Sequence, residues 1–237
     1  MPEVVFPGVE GQRIEGFYSH NKKAGAPLAV IMHAAHGGKS RAHMNALVPY
    51  NMFYAFKRCG FSVLRINFRG TGKSEGSFGN GLGELFDATS ALDFIQYLNP
   101  GSSECWICGM SFGAWVGMQL LMRRPEVHSF ITISPPTNLY DFSFLAPCPA
   151  SGMVVYGAND RLTPPEDMLR FQRDMKKQKE ADIDFHMVEG ANHFFDSEEN
   201  SIKNLVHAVE SYLTKNSSRK VTAPIPMKKR TRTRASA

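Results

Sequence analysis

Long apolar runs are missing from this 237-residue sequence. No stretch approaches the roughly 20 consecutive apolar residues that a membrane-spanning helix needs. Residues 1–16 also lack a basic region followed by an apolar stretch, the pattern of a secretory signal peptide. With 43% hydrophobic and 21% charged residues, the composition is that of a globular chain. We therefore expect a cytoplasmic protein with a sizeable core.

Cysteine is scarce, and the four residues are Cys59, Cys105, Cys108 and Cys148. Cys105 and Cys108 form a C-x-x-C pair, a spacing that also occurs in redox and zinc sites. They lie in an apolar run that predicts a strand, and strand residues three apart point to opposite faces of the sheet. We therefore predict that all four are small, buried or half-buried apolar side chains.

The spacings of metal and nucleotide sites are missing as well. His33, His36 and His43 contain no H-x-x-x-H pair and have no carboxylate at ligand spacing, so we predict no metal site. Gly72-Lys73-Ser74 resembles the end of a phosphate-binding loop, but the position where that motif requires its first glycine is Asn67. We therefore predict that the protein binds neither ATP nor another cofactor.

Acidic residues are absent from residues 215–237, which carry eight lysines and arginines. The other 19 of the 27 basic residues lie in residues 1–214, together with all 22 acidic residues. Residues 1–214 therefore carry a net charge of −3, although the whole chain carries +5. The composition predicts a globular domain over 1–214 and a flexible basic tail over 215–237. Contact of this tail with nucleic acid or an anionic membrane is a secondary prediction, because most such tails are only solvated.

Strand-like and helix-like segments alternate along the chain. Val4–Phe6 and Arg13–Tyr18 predict an N-terminal hairpin. Apolar segments predict strands at 28–32, 61–68, 105–108, 130–133, 153–156 and 183–188. Segments with helical periodicity lie at 42–58, 82–98, 114–122, 165–179 and 197–213, and Pro49 is expected to kink or break the first of them. The alternation predicts an α/β fold with a mainly parallel central sheet and helices on both faces.

Ser111 lies in Gly109-Met110-Ser111-Phe112-Gly113, between a predicted strand and a predicted helix. In that context a G-x-S-x-G motif forms a tight turn that presents the serine hydroxyl above the sheet. The amide of Phe112 then faces the same space at a helix N-terminus. The alternative is a Gly/Ser turn that only caps the helix, since serine is a common N-cap. The flanking elements favour a nucleophile.

Two polar residues that follow later strands are candidate partners of Ser111. Asp160 comes after the strand at 153–156, and His193 after the strand at 183–188. A serine hydroxyl needs an imidazole to take its proton, and the imidazole needs a carboxylate to fix its tautomer. Singly, Asp160 could be a turn residue and His193 an ordinary loop histidine. Three suitable types in this order, each after a different strand, favour a catalytic triad.

An oxyanion hole needs a second backbone amide besides that of Phe112, from the loop after the strand at 28–32. Either Ala34 or Ala35 should supply this amide, and we predict Ala35. We interpret His33 as a support for the same loop.

Five stretches of the sequence carry a resemblance to a known family. They are His33 to Gly37-Gly38, Asn67-Phe68-Arg69-Gly70-x-Gly72-x-Ser74-x-Gly76, Gly109-x-Ser111-x-Gly113, Gly157-x-x-Asp160 and Gly190-Ala191-Asn192-His193-Phe194. Over residues 1–214 the chain resembles the α/β-hydrolase superfamily, in particular small lidless bacterial hydrolases akin to dienelactone hydrolases and carboxylesterases.

The resemblance implies that Ser111 is the nucleophile, Asp160 the acid and His193 the base, with the amides of Phe112 and Ala35 as the oxyanion hole. Dienelactone hydrolases use a cysteine nucleophile, so the serine points to ester hydrolysis. Related chains carry H-P-H-P in the first oxyanion loop, where this sequence has His33-Ala-Ala-His.

Lids in this fold are commonly inserted after the strand that follows the nucleophile helix. Here that connection is Ser134–Ala150, which is too short for a helical cap and predicts an open or shallow site. Ala34, Tyr140, Phe142 and Phe144 are the predicted pocket residues. The alternative for the three aromatic residues is that they only attach an irregular loop to the body.

The function predicted from the sequence is that of a serine hydrolase. It cleaves a carboxylic ester or related acyl bond of a small substrate through an acyl-enzyme, without metal or cofactor. Thioesterases, peptidases and acyltransferases use the same catalytic triad, so the sequence does not distinguish an esterase from these enzymes. The alternative is a non-catalytic binding or scaffold protein of the same fold that uses its basic tail. The sequence leaves the oligomeric state open.

Overall fold

The computed structural model describes residues 3–35, 41–102, 104–177 and 181–217. Its strands are β1 Glu3–Pro7, β2 Arg13–Ser19, β3 Leu28–Met32, β4 Ser62–Ile66, β5 Cys105–Met110, β6 Val127–Ile133, β7 Ser151–Gly157 and β8 Ile183–Val188. They form one sheet in the order β1-β2-β4-β3-β5-β6-β7-β8. The pairs β1·β2 and β2·β4 are antiparallel and the remaining pairs are parallel. The predicted hairpin and mainly parallel sheet are confirmed.

Helices cover both faces of this sheet, as predicted. They are α1 Leu47–Arg58, α2 Leu82–Leu98, α3 Phe112–Leu121, α4 Pro165–Lys176 and α5 Glu199–Asn216. The buried apolar residues of α1 and α5 share one core cluster with the sheet, and those of α2, α3 and α4 share the other. The central strands β3, β4 and β5 are buried at every residue, because helices cover them on both sides.

Helix α1 begins later than its periodicity predicts. It starts at Leu47 rather than at residue 42, which places Pro49 in the first turn. Proline is tolerated there because first-turn amides have no intrahelical acceptor, so Pro49 does not break the helix. Helix α5 continues to Asn216, beyond its predicted end at residue 213. Residues 178–179 of the predicted fourth helix lie outside the described residues.

The connection between β6 and β7 covers residues 134–150, all of which are described. It contains one 3-10 turn, Ser143–Leu145, and no α-helix. The expectation that no helical cap is inserted here is therefore confirmed.

Within the described ranges, no helix is both long enough and apolar enough to cross a lipid bilayer. Most of the basic tail, residues 218–237, lies outside them. Its flexibility, its contact with nucleic acid or membrane, and the domain boundary after residue 214 therefore stay predictions.

Candidate active site

Ser111 is the single residue between the end of β5 and the start of α3. Its backbone adopts φ 53° and ψ −119°, a conformation that costs a residue with a side chain on the order of 1–3 kcal/mol. The Ser111 amide donates a 2.8 Å hydrogen bond to the carbonyl of Ile133, the last residue of β6. This hydrogen bond holds the strained turn against the neighbouring strand β6. The strand, sharp turn and helix predicted around Ser111 are all present.

Gly109 and Gly113 allow the chain to fold this tightly. A Cβ on Gly109 would lie 2.2 Å from the carbonyl oxygen of Gly113, and a Cβ on Gly113 would lie 2.5 Å from that of His33. Both separations are far shorter than van der Waals contact, and the obstructing atoms belong to the backbone. The two glycines therefore let the turn pack against α3 and against the loop that follows β3.

The three predicted catalytic side chains are joined by hydrogen bonds. His193 Nε2 lies 2.9 Å from Ser111 Oγ, and His193 Nδ1 lies 2.8 Å from Asp160 Oδ2. Because a carboxylate only accepts, Nδ1 carries the proton and Nε2 accepts from the serine hydroxyl. Asp160 and His193 are buried, so the relay is largely screened from water. The arrangement can remove the proton of Ser111.

The carboxylate of Asp160 is held in place by the backbone that follows it. Its Oδ1 accepts the amides of Leu162 at 2.8 Å and of Thr163 at 2.9 Å, which leaves Oδ2 for His193. Three donors therefore fix the orientation of the carboxyl plane before a substrate arrives.

The loop of His193 is held by a residue that the sequence analysis did not single out. Ser134, directly after β6, is fully buried, and its hydroxyl donates to the carbonyl of His193 at 3.0 Å. The available signal was its position, because residues after parallel strands gather at the edge of the sheet where the triad lies.

His33 supports the loop after β3. Its Nδ1–H donates to the carbonyl of Ala34 at 2.6 Å, and its Nε2 accepts the amide of Phe68 at 3.0 Å. Burial lowers the pKa of His33 to about 4, so the ring is neutral at pH 7, as these two bonds require. The ring therefore links the loop after β3 to the loop after β4.

The two alanines after His33 differ in exposure. Ala34 has no exposed surface, whereas Ala35 is partly exposed. The predicted pocket role of Ala34 stays a prediction. The role of the Ala35 amide in the oxyanion hole stays a prediction.

The three predicted pocket aromatics have different surroundings. Tyr140 packs against Phe112 of the turn, with ring centroids 5.7 Å apart, and against Trp115 of α3 at 4.6 Å. Phe142 is buried between Phe144 and Phe171 of α4. Phe142 and Phe144 thus contact each other and the body, whereas Tyr140 contacts the residue next to Ser111. The pocket roles of the three aromatic residues stay predictions.

The cysteines form no disulfide and are buried or half-buried. Burial raises the pKa of Cys105 to about 12 and that of Cys148 to about 11, so both stay protonated thiols. Across the residues described, no three histidine, cysteine or carboxylate side chains gather as metal ligands would. His36, one of the three histidines considered for a metal, lies outside the described residues.

The sheet order, the serine at the sharp turn after β5 and the acid and histidine after β7 and β8 are those of an α/β hydrolase. In agreement, the family described as "Serine aminopeptidase, S33" matches residues 27–149, just over half of the chain. The chain belongs to this family of α/β hydrolases. The match includes Ser111 and ends before Asp160 and His193.

Individual relatives agree with this assignment. RP471 of Rickettsia prowazekii, an uncharacterized protein, is 45% identical over a 199-residue alignment that covers 82% of each chain. The crystal structure of ATU1826 from Agrobacterium tumefaciens, a protein of unknown function assigned to the α/β hydrolases, is 45% identical and superposes with a TM-score of 0.86, covering 93% of this chain and 98% of that one. XC6422 from Xanthomonas campestris, an α/β serine hydrolase without a lid, shares the fold at 24% identity and a TM-score of 0.77, with 93% and 96% covered.

Proposed function

We propose that this protein is a serine hydrolase that cleaves a carboxylic ester or a related acyl bond through a covalent acyl-enzyme. The observation that carries the proposal is the continuous relay from Ser111 Oγ to His193 Nε2 and from His193 Nδ1 to Asp160 Oδ2, at 2.9 and 2.8 Å. The buried Asp160 and His193 are not needed to hold the strained turn of Ser111, because the backbone of the turn bonds to β6. The chemical purpose of the relay is to make a nucleophile.

In the first half of the proposed reaction, His193 takes the hydroxyl proton while Ser111 Oγ attacks the acyl carbon. The resulting oxyanion lies at the N-terminus of α3, where the amide of Phe112 and that of Ala35 stabilise it. Such donors contribute about 3–4 kcal/mol each in comparable sites. His193 then gives its proton to the leaving oxygen, which departs as an alcohol and leaves Ser111 acylated.

In the second half, a water molecule takes the place of the alcohol. His193 removes a proton from this water, the hydroxide attacks the acyl carbon, and Ser111 recovers its proton as the acid leaves. Asp160 stabilises the imidazolium in both halves. Every proton transfer passes through His193 Nε2, while Nδ1 keeps its proton in the hydrogen bond to Asp160. The fixed orientation of His193 therefore matters throughout.

The substrate favoured by the site is a small or short-chain ester. Residues 134–150 contain no α-helix to enclose a long chain, and the aromatic rings of Phe78, Trp115 and Tyr140 pack around Phe112, next to the proposed nucleophile. The family description names an aminopeptidase, whose substrate carries an ammonium group that acidic or carbonyl oxygens would bind. Aminoacyl p-nitroanilides therefore belong in the test as the second substrate class.

The test is hydrolysis of p-nitrophenyl acetate and butyrate by the wild type and by Ser111→Ala. We expect a burst of p-nitrophenol followed by steady turnover in the wild type, and loss of both in the variant. A folded wild type that turns over none of a broad ester panel would overturn the proposal. Faster cleavage of aminoacyl p-nitroanilides than of esters would reassign the substrate class while retaining the acyl-enzyme.

A further inference from the structure

Arg41 connects two loops that the proposed reaction uses separately. It lies in the β3–α1 connection, which also carries Ala35. Its Nε and Nη2 lie 2.8 and 2.7 Å from Asp196 Oδ2, and Asp196 belongs to the loop of His193. The guanidinium carbon also lies 4.8 Å from the centre of the Phe194 ring, a cation–π contact. One side chain thus contacts two residues of the loop that carries the base.

Phe194 contacts both the Arg41 guanidinium and the imidazole of His193. Its ring lies 4.9 Å from that of His193, at an interplanar angle of 77°. Asn192 makes three hydrogen bonds within the same loop. Its Nδ2 donates to Asp196 Oδ1 at 2.8 Å, and its Oδ1 accepts from the backbone amides of Phe194 and Asp196. The loop is therefore a cross-linked unit, and Arg41 is its connection to the β3–α1 segment.

We propose that Arg41 is a positioning residue, which holds the loop of His193 in register with the connection that supplies the Ala35 amide. The inference rests on the proposed function, because it concerns the same proton transfers. His193 must serve both Ser111 and the leaving oxygen while the oxyanion stays on its donors. A displacement of about 1 Å between such groups can cost about 100-fold in rate.

The solvent exposure of Arg41 and Asp196 distinguishes an effect of the ion pair on turnover from an effect on the stability of the fold. The Arg41 and Asp196 side chains are 46% and 29% exposed, and exposed ion pairs contribute little to the stability of a fold. Loss of Arg41 should therefore affect turnover far more than unfolding. Substrate binding should change little, because Arg41 acts on the base rather than on the substrate.

The charges of the pair give a second readout with a definite sign. Asp160 faces His193 Nδ1 from the β7–α4 loop, and Asp196, three residues after His193, carries the ion pair with Arg41. In Arg41→Gln the Asp196 carboxylate loses its counter-charge, which favours the imidazolium and moves the acidic limb of the kcat/KM profile to higher pH. In Asp196→Asn the unpaired guanidinium moves that limb to lower pH. A purely structural role would not produce opposite shifts.

A matched control lies at the other end of the sheet. Arg58, the last residue of α1, pairs with Glu210 of α5, with side chains 55% and 30% exposed. Since α1 leads into the amino end of β4, this pair is remote from the carboxyl ends of the strands, where Ser111 lies. Arg58→Gln removes an ion pair of similar exposure without touching the loops of the site.

The experiment compares wild type, Arg41→Gln, Arg41→Lys, Asp196→Asn and Arg58→Gln on p-nitrophenyl butyrate, with pH profiles and melting temperatures. We expect Arg41→Gln to lower kcat by about 10-fold with KM and Tm close to wild type, Arg41→Lys to recover part of that loss, and the two acidic limbs to shift in opposite directions. An Arg41→Gln enzyme indistinguishable from Arg58→Gln, or one whose activity falls only in step with its Tm, would overturn the inference. A wild type inert to esters and to a fluorophosphonate probe would instead overturn the proposed function.

Discussion

The hydroxyl of Ser134 donates a hydrogen bond to the backbone carbonyl of His193 across 3.0 Å. Ser134 is fully buried and holds φ 46°, a conformation that is uncommon for residues with a side chain. Its own amide donates to the carbonyl of Val155 in β7 at 2.8 Å. The residue therefore ties the loop of the proposed base to the central strands β6 and β7.

Replacing Ser134 by alanine tests this tie. The substitution leaves the carbonyl of His193 buried without its donor, which typically costs about 1–3 kcal/mol of stability. We expect a fall in kcat as well, because the loop that carries the imidazole loses its anchor. Urea unfolding and steady-state kinetics on p-nitrophenyl butyrate measure the two effects.

Ser129 provides the control for Ser134. It lies within β6, five residues before Ser134, and its hydroxyl donates to the carbonyl of Ser151 at 2.7 Å. We expect Ser129→Ala to lose a similar stability and to keep its kcat. Equal kinetic losses in the two variants would show that Ser134 has no particular effect on His193.

Asp160→Asn should abolish most of the activity without unfolding the chain. Two backbone amides, from Leu162 and Thr163, require an acceptor at this side chain. The amide oxygen therefore stays on them and its NH2 faces His193 Nδ1. The imidazole must then carry its proton on Nε2, where it cannot accept from Ser111, and a related substitution costs about 10,000-fold in kcat.

The exposed Asp184 of β8 supplies the comparison, because Asp184→Asn removes a charge far from any hydrogen bond of the triad. We expect kcat of Asp184→Asn to equal that of the wild type. Retention of more than about a tenth of the activity in Asp160→Asn would contradict the tautomer argument.

The stability of the fold should depend on pH through His33. Burial lowers the pKa of His33 to about 4 from its ordinary 6.5. The unfolded residue takes up a proton near pH 6.5, whereas the folded one stays neutral until about pH 4, so falling pH favours the unfolded state in this window. We expect the free energy of unfolding to drop by about 2 kcal/mol between pH 7 and pH 5 from this residue.

Chemical unfolding of wild type, His33→Asn and His186→Asn at both pH values measures this contribution. His186 is exposed on β8, so its removal should leave the drop intact, whereas His33→Asn should reduce it. A drop of the same size in all three proteins would rule out His33 as the source.

Gly113→Ala should destabilise the nucleophile turn. The new Cβ would lie 2.5 Å from the carbonyl oxygen of His33 and 2.8 Å from that of Met32, so β3 and α3 must move apart. Overpacking of this kind costs about 1–3 kcal/mol or more. Gly101→Ala is the control, since no atom lies within 4 Å of its added Cβ, and its melting temperature should stay close to wild type. Similar melting temperatures for both variants would argue against a tight turn.

Much of this structure was predictable because its signals are local in the sequence. The central strands are short apolar runs, since helices cover both of their faces. Ser111, Asp160 and His193 each follow such a run, and parallel strands bring those positions together at one edge of the sheet. Type, order and position relative to the strands were therefore sufficient to propose the triad.

Other features depend on contacts between distant segments. The bond from Ser134 to His193 spans 59 residues, and that from Arg41 to Asp196 spans 155. No local pattern specifies either partner. The start of α1 was missed for a related reason, because apolar residues before Leu47, such as Met44 and Ala46, are buried without being helical.

We propose that the relay makes one hydroxyl unusually nucleophilic, and covalent labelling measures this nucleophilicity directly. Wild type and Ser111→Ala would be incubated with a fluorophosphonate probe, and intact-protein mass spectrometry would count the adducts on each chain. Peptide sequencing would then locate the labelled residue. We expect a single adduct per chain, located on Ser111 and absent from the variant. A folded wild type that remains unlabelled, or an adduct of equal extent in Ser111→Ala, would contradict it.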